Sequence, residues 1–243
     1  MTAEARRPYA VTLHPFEERQ YVTQVMGVAL GQVPPSELAA RVAWDPVALA
    51  LAVRAAPRMR DAVSALRAGD NLPWSRQINF TAGLLSAWEH PAWYLGDVGL
   101  SFGHGGAAHP LRGYSRSMAI LAARSPALGA AAGDIREGFA GPRSAGSCIL
   151  AGDILLLLRD LERRPLWFIE ALKHEGYAPR EVLAPLLEAL HYCRERRLAL
   201  LELTDAVDPE HGAALIPEEH LRGGVWGRLH PEILRRTEEM LAA

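Results

Sequence analysis

Proline residues stand at the start of most of the predicted helices and limit the length of each one. A proline at the first helical position lacks only a donor that the helix would leave unpaired, and its fixed φ angle suits the helix. Pro165, Pro179 and Pro231 each precede apolar residues at helical spacing, and Pro15 and Pro46 do the same nearer the N-terminus. The pattern predicts roughly eight to ten short helices.

Strand signals are few. Short apolar runs that end at turn-forming residues favour strands over 9–13, 147–150 and 198–203. We therefore expect a mainly α-helical protein with a few short β-strands and a bundle-like architecture. It forms either a single domain over 1–243 or two lobes, 1–124 and 147–243, joined by the Gly-, Ala- and Pro-rich segment 125–146.

Composition excludes several classes of protein. The chain has 243 residues, of which 49% are hydrophobic, and a formal net charge of −2, so it is neither disordered nor strongly charged. No apolar run approaches the roughly 20 residues that span a bilayer, and the first residues lack the apolar segment of a secretory signal. Cys148 and Cys193 are too few for a disulfide scaffold. We expect a soluble, cytoplasmic protein without a membrane partner.

The basic residues do not indicate a nucleic-acid partner. Lys173 is the only lysine, and the many arginines reflect the codon usage of a GC-rich genome. The 26 basic residues are balanced by 28 acidic ones, whereas proteins that bind the phosphate backbone usually carry excess positive charge. Binding to nucleic acid is therefore not expected.

A glycine-rich stretch from 96 to 113 is the most unusual part of the sequence. It is long for a plain connection, but it lacks the following Lys-Ser/Thr of a phosphate-binding loop and the Ser elbow of a hydrolase. A ligand pocket here would use histidine as a base or ligand and Arg116 to hold an anion. The candidate ligand-binding residues are Asp97, His104, His109, Tyr114, Ser115 and Arg116. The alternative is a surface loop.

No spacing of residues predicts a metal site. The chain contains neither His-x-x-x-His nor His-Glu-x-x-His. Glu188 and His191 form the Glu-x-x-His pair of carboxylate-bridged di-iron bundles, but the second pair that such a site needs is missing. We interpret the two as part of an amphipathic helix, and no motif identifies a cofactor.

Aromatic residues cluster on both sides of the His90-Pro91 pair. Trp88, Trp93 and Tyr94 are large and rigid, which suits a partner-binding surface or a ligand shelf. The same residues also suit a core where two helical layers meet. The partner-binding interpretation requires that the rings be exposed.

Two hypotheses for function follow. The first is a non-enzymatic binding or protein-interaction module, accessory or regulatory, because no set of catalytic residues is complete. The second is an enzyme, or a binder of a small anion or metal ligand, with its pocket around 96–117. A protein partner fits the first hypothesis, and a homodimer is a common state for helical proteins of this kind.

Overall fold

The computed structural model describes residues 10–25, 27, 34, 73–96, 111, 113–116, 119–122, 124, 145–208, 210–211 and 213–242. The predicted helices between 36 and 70, most of the glycine-rich stretch and nearly all of the 125–146 segment lie outside these residues. The predicted division into lobes at that segment is therefore not described.

Strands and helices are interleaved along the described chain. The strands are β1 (Val11–Phe16), β2 (Ala92–Gly96), β3 (Ala145–Ile149), β4 (Ala199–Thr204), β5 (Val207–Asp208), β6 (Ala213–Ala214) and β7 (Leu221–Arg222). The helices are α1 (Glu18–Gln20), continued by a π-helical turn (Tyr21–Val25), then α2 (Pro73–Ser86), α3 (Ala119–Ala122), α4 (Ala151–Arg163), α5 (Pro165–His174), α6 (Pro179–Arg196) and α7 (Pro231–Ala242). A 3-10 turn, Glu218–His220, precedes β7.

The strands form a five-stranded sheet in the order β3-β4-β1-β2-β7. β1 is antiparallel to β4 and β2, β3 is antiparallel to β4, and β2 pairs in parallel with β7. β5 and β6 make a separate two-stranded ladder. The chain is thus an α/β protein built on a mixed central sheet.

The prediction of a mainly α-helical, bundle-like fold is wrong. Strands do lie at the three predicted positions, but they join β2 and β7 in one sheet that organises the molecule. All residues of β1 and of β4 are buried. A strand covered on both faces does not alternate apolar and polar residues, so its periodicity cannot be distinguished from that of a short buried helix.

The predicted role of Pro15 is also wrong, for the same reason. The sequence predicts that it begins a helix, but it lies in β1 opposite Leu200, and the helix begins only at Glu18. β2 pairs with β1 only from Val11 to Leu13, so the missing N–H of Pro15 faces no partner strand there.

The predicted helices later in the chain are confirmed. α5, α6 and α7 begin at Pro165, Pro179 and Pro231, as predicted. α6 runs through Pro185 as one helix, although a proline inside a helix favours a kink or a boundary. No helix within the described residues has the length and apolar character that crossing a bilayer requires.

The two faces of the sheet are packed differently. Helices α4, α5 and α6 cover one face and bury apolar residues such as Leu13, Trp93 and Ile149. α2 lies against the other face, where buried polar residues collect. We call this set the buried polar cluster; it comprises Thr12, His14, Tyr21, Asn79 and Ser86.

Hydrogen bonds hold the buried polar cluster together. The Nε2 atom of His14 lies 2.8 Å from Oγ1 of Thr12, and the Tyr21 hydroxyl donates to Oδ1 of Asn79 at 2.6 Å. The Ser86 hydroxyl donates to the carbonyl oxygen of Pro15, which ties α2 to β1. Such bonds offset the cost of burying polar groups.

Candidate functional site

A cavity of 490 Å³ lies where α6, α7 and the β2–β7 edge of the sheet meet. Its volume falls in the range of roughly 300–1,000 Å³ that is usual for small-molecule sites. The lining residues are Pro91, Trp93, Glu188, His191, Tyr192, Arg194, Glu195, Arg222, His230, Glu232, Ile233 and Arg236.

Helical spacing accounts for two walls of the cavity. On α6, Glu188, His191, Tyr192 and Glu195 follow the i, i+3, i+4, i+7 pattern that places side chains on one helix face. α7 begins at Pro231 and forms the facing wall through its first turns. The cavity therefore lies between two helices that pack against each other.

The sheet edge supplies the third wall. Trp93 of β2 and Arg222 of β7 are register partners on adjacent parallel strands. Gly223 then turns the chain at a φ of 84°, and a Cβ atom there would lie 2.9 Å from the carbonyl oxygen of Tyr94. The glycine is needed because the backbone after Arg222 passes so close to β2.

Arg222 is held in place by the backbone around it. Its Nη1 donates to the carbonyl oxygens of Glu219, at 2.7 Å, and of Leu221, at 2.9 Å. The side chain is half-buried, and no carboxylate in the described part of the chain lies within 4.0 Å of it. The guanidinium is thus held in position, and the described residues supply no counter-charge for it.

Aromatic rings form the apolar part of the cavity wall. Trp93 is only 1% exposed, and its ring centroid lies 5.4 Å from that of Tyr192. The indole Nε1 of Trp93 is buried, and it has no hydrogen-bond partner among the residues that the structure describes. An unpaired buried donor is costly, so it is a point at which an acceptor would stabilise the site.

His191 and Arg236 connect α6 with α7. The Nη1 of Arg236 donates to Nε2 of His191 at 3.1 Å, and its Nη2 donates to Oε1 of Glu162 at 2.7 Å. This contact places the imidazole proton on Nδ1. Burial lowers the pKa of His191, and the charges of Arg194 and Arg236 lower it further. The imidazole is therefore neutral near pH 7.

The cavity carboxylates are each bound to another group. Oε2 of Glu188 accepts the backbone N–H of His230 at 2.8 Å and so caps the start of α7. Glu232 accepts a hydrogen bond from Nε of Arg235 at 3.1 Å, and Glu195 lies 3.7 Å from Arg196. Cavity carboxylates therefore have partners, whereas Arg222 has no counter-charge among the described residues.

Arg194 resembles Arg222 in this respect. It is exposed at the cavity rim, and among the residues that the structure describes no carboxylate lies within 4.0 Å of it. An anion entering the cavity would therefore meet two guanidinium groups, those of Arg194 and Arg222, that have no carboxylate partner among the described residues. A cation would have to compete for carboxylates that are already bonded.

His90 supports the cavity wall from behind. Its Nδ1 lies 3.1 Å from the Tyr192 hydroxyl, and the guanidinium of Arg196 lies 4.0 Å from the centre of the Tyr192 ring. Burial lowers the pKa of His90 to about 4, and the charge of Arg196 adds to the effect. Neutral His90 and cationic Arg196 hold the phenol ring between them.

The predicted ligand-binding residues do not line this cavity where the structure describes them. The Tyr114 hydroxyl donates to Asp160 at 2.6 Å, and burial together with this bond raises the pKa of Tyr114 to about 12. Arg116 pairs with Asp153 at 3.1 Å, and the N–H of Ser115 donates to the carbonyl oxygen of Leu111. The bonds to Asp160 and Asp153 attach the segment to α4, whereas the Ser115 bond stays within the segment.

The remaining members of that predicted set are Asp97, His104 and His109, and they lie outside the described residues. A pocket around 96–117 therefore stays a prediction. In the described part of the chain, no group of three or more potential metal ligands is found.

The predicted aromatic surface is mostly buried. Trp88 is 5% exposed and Trp93 is 1% exposed, while half-buried Tyr94 packs edge-on against Trp226 at 5.0 Å. In this structure the rings of Trp88 and Trp93 are packed inside the molecule and do not form an exposed patch. Trp93 instead contributes to the cavity wall.

Sequence reasoning identified only part of the cavity. Glu188 and His191 were visible as a helical pair, although their spacing was interpreted as an ordinary amphipathic face. Arg222, His230 and Arg236 carry no local motif, since they reach the cavity only through strand pairing and helix packing. Comparisons of the chain with protein-family models, curated proteins and solved structures find no match.

Proposed function

We propose that this protein is a non-enzymatic binding module whose ligand is a small organic anion with a flat, apolar body. One observation carries the proposal. The half-buried Arg222 is fixed beside Trp93 in the cavity, and among the described residues it has no carboxylate partner.

The arginines of the cavity favour a ligand with an anionic group. A guanidinium that the protein already orients can donate charge-assisted hydrogen bonds to a carboxylate or phosphate at little entropic cost. Arg194 at the rim adds positive charge, and the carboxylates around the cavity are engaged elsewhere. These features favour an anion over a cation.

The apolar lining of the cavity favours a ligand with a flat, apolar body. The half-buried Tyr192 contributes aromatic surface to the cavity wall and is backed by the buried ring of Trp93, while Ile233 adds a small aliphatic area from α7. Ligand sites commonly combine such apolar walls with a few oriented polar groups. A purely inorganic anion would leave these walls without a contact.

Binding is favoured over catalysis by what the polar groups already do. His191 accepts a bond from Arg236, and Glu188 caps α7. Both groups hold the walls together, which supports a rigid binding site. We place the module in the cytoplasm, whose reducing conditions suit a chain with only two cysteines, Cys148 and Cys193, both buried.

Isothermal titration with matched small molecules tests the proposal. Phenyl phosphate and benzoate carry a flat ring with an anionic group, while benzylamine presents a similar ring with a cation. We expect the two anions to bind and benzylamine not to bind. Arg222→Gln should weaken binding of the anions about tenfold, as expected for loss of a charged hydrogen bond.

The matched control is Arg228→Gln, which removes an exposed arginine that does not line the cavity. It should leave the affinity unchanged. Equal binding of benzylamine, or equal weakening in both variants, would contradict an anion site at Arg222.

A further inference from the structure

The outward surface of α4 and α5 combines exposed apolar side chains with arginines. We call it the outer patch; it comprises Leu155, Leu156, Arg159, Arg163, Leu166 and Trp167. The apolar members are unusually exposed, at 60% for Leu155, 41% for Leu156, 55% for Leu166 and 50% for Trp167. Several large apolar side chains exposed on two consecutive helices indicate an interaction site more strongly than a single exposed leucine does.

In the part of the chain that the structure describes, the core forms without these apolar residues. α4 buries Ile154, Leu157, Leu158 and Leu161 against the core, so its inner face is already complete. Leu155 and Leu156 project from the opposite side, where polar residues are usual. The ring of Trp167 packs edge-on against Phe168 with a centroid distance of 4.8 Å, which restricts its orientation.

The charges within the outer patch are positive. Arg159 and Arg163 lie one helical turn apart, between Leu155 and the residues of α5. Nearby carboxylates are already bonded, since Asp160 accepts the Tyr114 hydroxyl at 2.6 Å and Glu162 accepts Arg236 at 2.7 Å. Arg159 has only a 3.8 Å contact with Asp160, and no carboxylate in the described residues lies within 4.0 Å of Arg163.

We propose that the outer patch docks a segment of another protein that places carboxylates between apolar side chains. The carboxylates would pair with Arg159 and Arg163, and the apolar side chains would contact Leu155, Leu156 and Trp167. Tryptophan and arginine are the residues that most often dominate the binding energy of protein interfaces. Charge complementarity at the centre of the patch then selects an acidic partner.

The position of the arginines argues against two other occupants. They lie among the apolar residues rather than beside them, so inserting the patch into a bilayer would bury guanidinium groups at high cost. A second copy of this chain packed by two-fold symmetry would bring arginines against arginines. An acidic protein segment avoids both costs.

Selection from a library of random peptides displayed on phage tests the proposal with the full chain as bait. We expect the selected peptides to carry Asp or Glu between apolar residues. Trp167→Ala, and separately Arg159→Glu with Arg163→Glu, should each weaken their binding about tenfold or more in fluorescence anisotropy. Peptides remade with Lys in place of Glu should bind the charge-reversed variant better than they bind the original chain.

Two control variants distinguish binding at the outer patch from non-specific binding. Val225→Ala and Arg228→Glu alter exposed residues that lie outside the outer patch, and both variants should bind the selected peptides normally. Circular dichroism melts would show that each variant is folded. The binding of Lys-containing peptides to the charge-reversed variant tests the proposal even if Trp167→Ala does not fold.

Three results would overturn the proposal. The first is that no peptide is enriched, or that the enriched peptides bind the patch variants and the original chain equally. The second is concentration-dependent self-association that the patch variants abolish. The third is binding to phosphatidylserine vesicles, lost in the variants, without binding to acidic peptides.

Discussion

The cavity and the buried polar cluster each contain a histidine whose pKa is lowered by burial, His191 and His14, but they use their polar atoms differently. In the cluster, Thr12, Tyr21, Asn79 and Ser86 form hydrogen bonds with one another, with His14 or with the backbone of β1. In the cavity, Arg222 is anchored by carbonyl oxygens and faces 490 Å³ of free space.

This difference distinguishes structural from functional burial of polar groups. A buried polar residue whose partners are supplied by the fold helps to position the elements around it. A charged residue that is oriented but has no counter-charge is arranged for a group that arrives from outside. Substitutions in the cluster should therefore change stability, and substitutions in the cavity should change binding.

The largest change in the free energy of unfolding is expected when the pH is lowered. Burial lowers the pKa of His14 to about 3, whereas the residue titrates near 6.5 when unfolded. The unfolded chain therefore binds the proton more readily, and the free energy of unfolding falls as pH drops below 6.5. The loss is about 1.4 kcal/mol per pH unit, or roughly 2 kcal/mol between pH 7 and pH 5.

Urea unfolding near pH 7 and near pH 5 measures this loss. In His14→Gln the side chain no longer titrates, so the difference in stability between the two pH values should shrink by that amount. His211→Gln removes an exposed histidine that contacts Asp208 and serves as the control. An unchanged pH dependence in His14→Gln would show that His14 is accessible to protons in the fold.

The second effect concerns Ser86. In Ser86→Ala the buried carbonyl oxygen of Pro15 loses its donor, which should lower the free energy of unfolding by about 1–3 kcal/mol. Thr23→Ala removes an exposed hydroxyl that donates to a helical carbonyl, and it should change stability by less than about 0.5 kcal/mol. Affinity for phenyl phosphate should be the same in both variants. A loss of affinity in Ser86→Ala would contradict the view that the buried polar cluster affects stability and not binding.

The smallest effect concerns the ion pair behind the cavity. Glu162→Gln removes the counter-charge of Arg236, whose side chain is 38% exposed. Stability should change by less than about 1 kcal/mol because the pair is partly exposed to solvent. Freed from Glu162, Arg236 should increase the affinity for phenyl phosphate about two- to threefold in the same titrations.

A matched variant controls for the change in net charge. Glu170→Gln breaks the exposed pair with Lys173 on α5, which does not line the cavity. It should leave the affinity for phenyl phosphate unaltered. Equal increases in both variants would indicate an effect of overall charge rather than of Arg236.

The sequence predicted helices well where one face is exposed. α4 and α7 alternate buried and exposed residues at helical spacing, and both begin within a few residues of the expected positions. β1 and β4 could not be predicted from such a pattern because every one of their residues is buried. A run such as Ala-Leu-Leu-Glu-Leu-Thr predicts a strand no better than a helix. Three strand positions could be predicted, whereas β2, β5, β6, β7 and the assembly of one central sheet could not.

The site was harder to predict than the fold. Glu188 and His191 lie on one helix, so their proximity follows from the sequence alone. Arg222 reaches Trp93 only because β2 and β7 pair in parallel, and Arg236 reaches His191 only because α7 packs on α6. Contacts of this kind depend on tertiary structure, which local spacing does not encode.

The bond between Arg236 and Glu162 joins the cavity to the helix that carries the outer patch. An anion that draws Arg236 away leaves an unpaired carboxylate on α4, one position before Arg163. If the proposed anion does so, the outer patch becomes less positive, and an acidic partner would bind it more weakly. Because thermodynamic coupling between two sites is reciprocal, that partner would lower the affinity for the anion by the same factor.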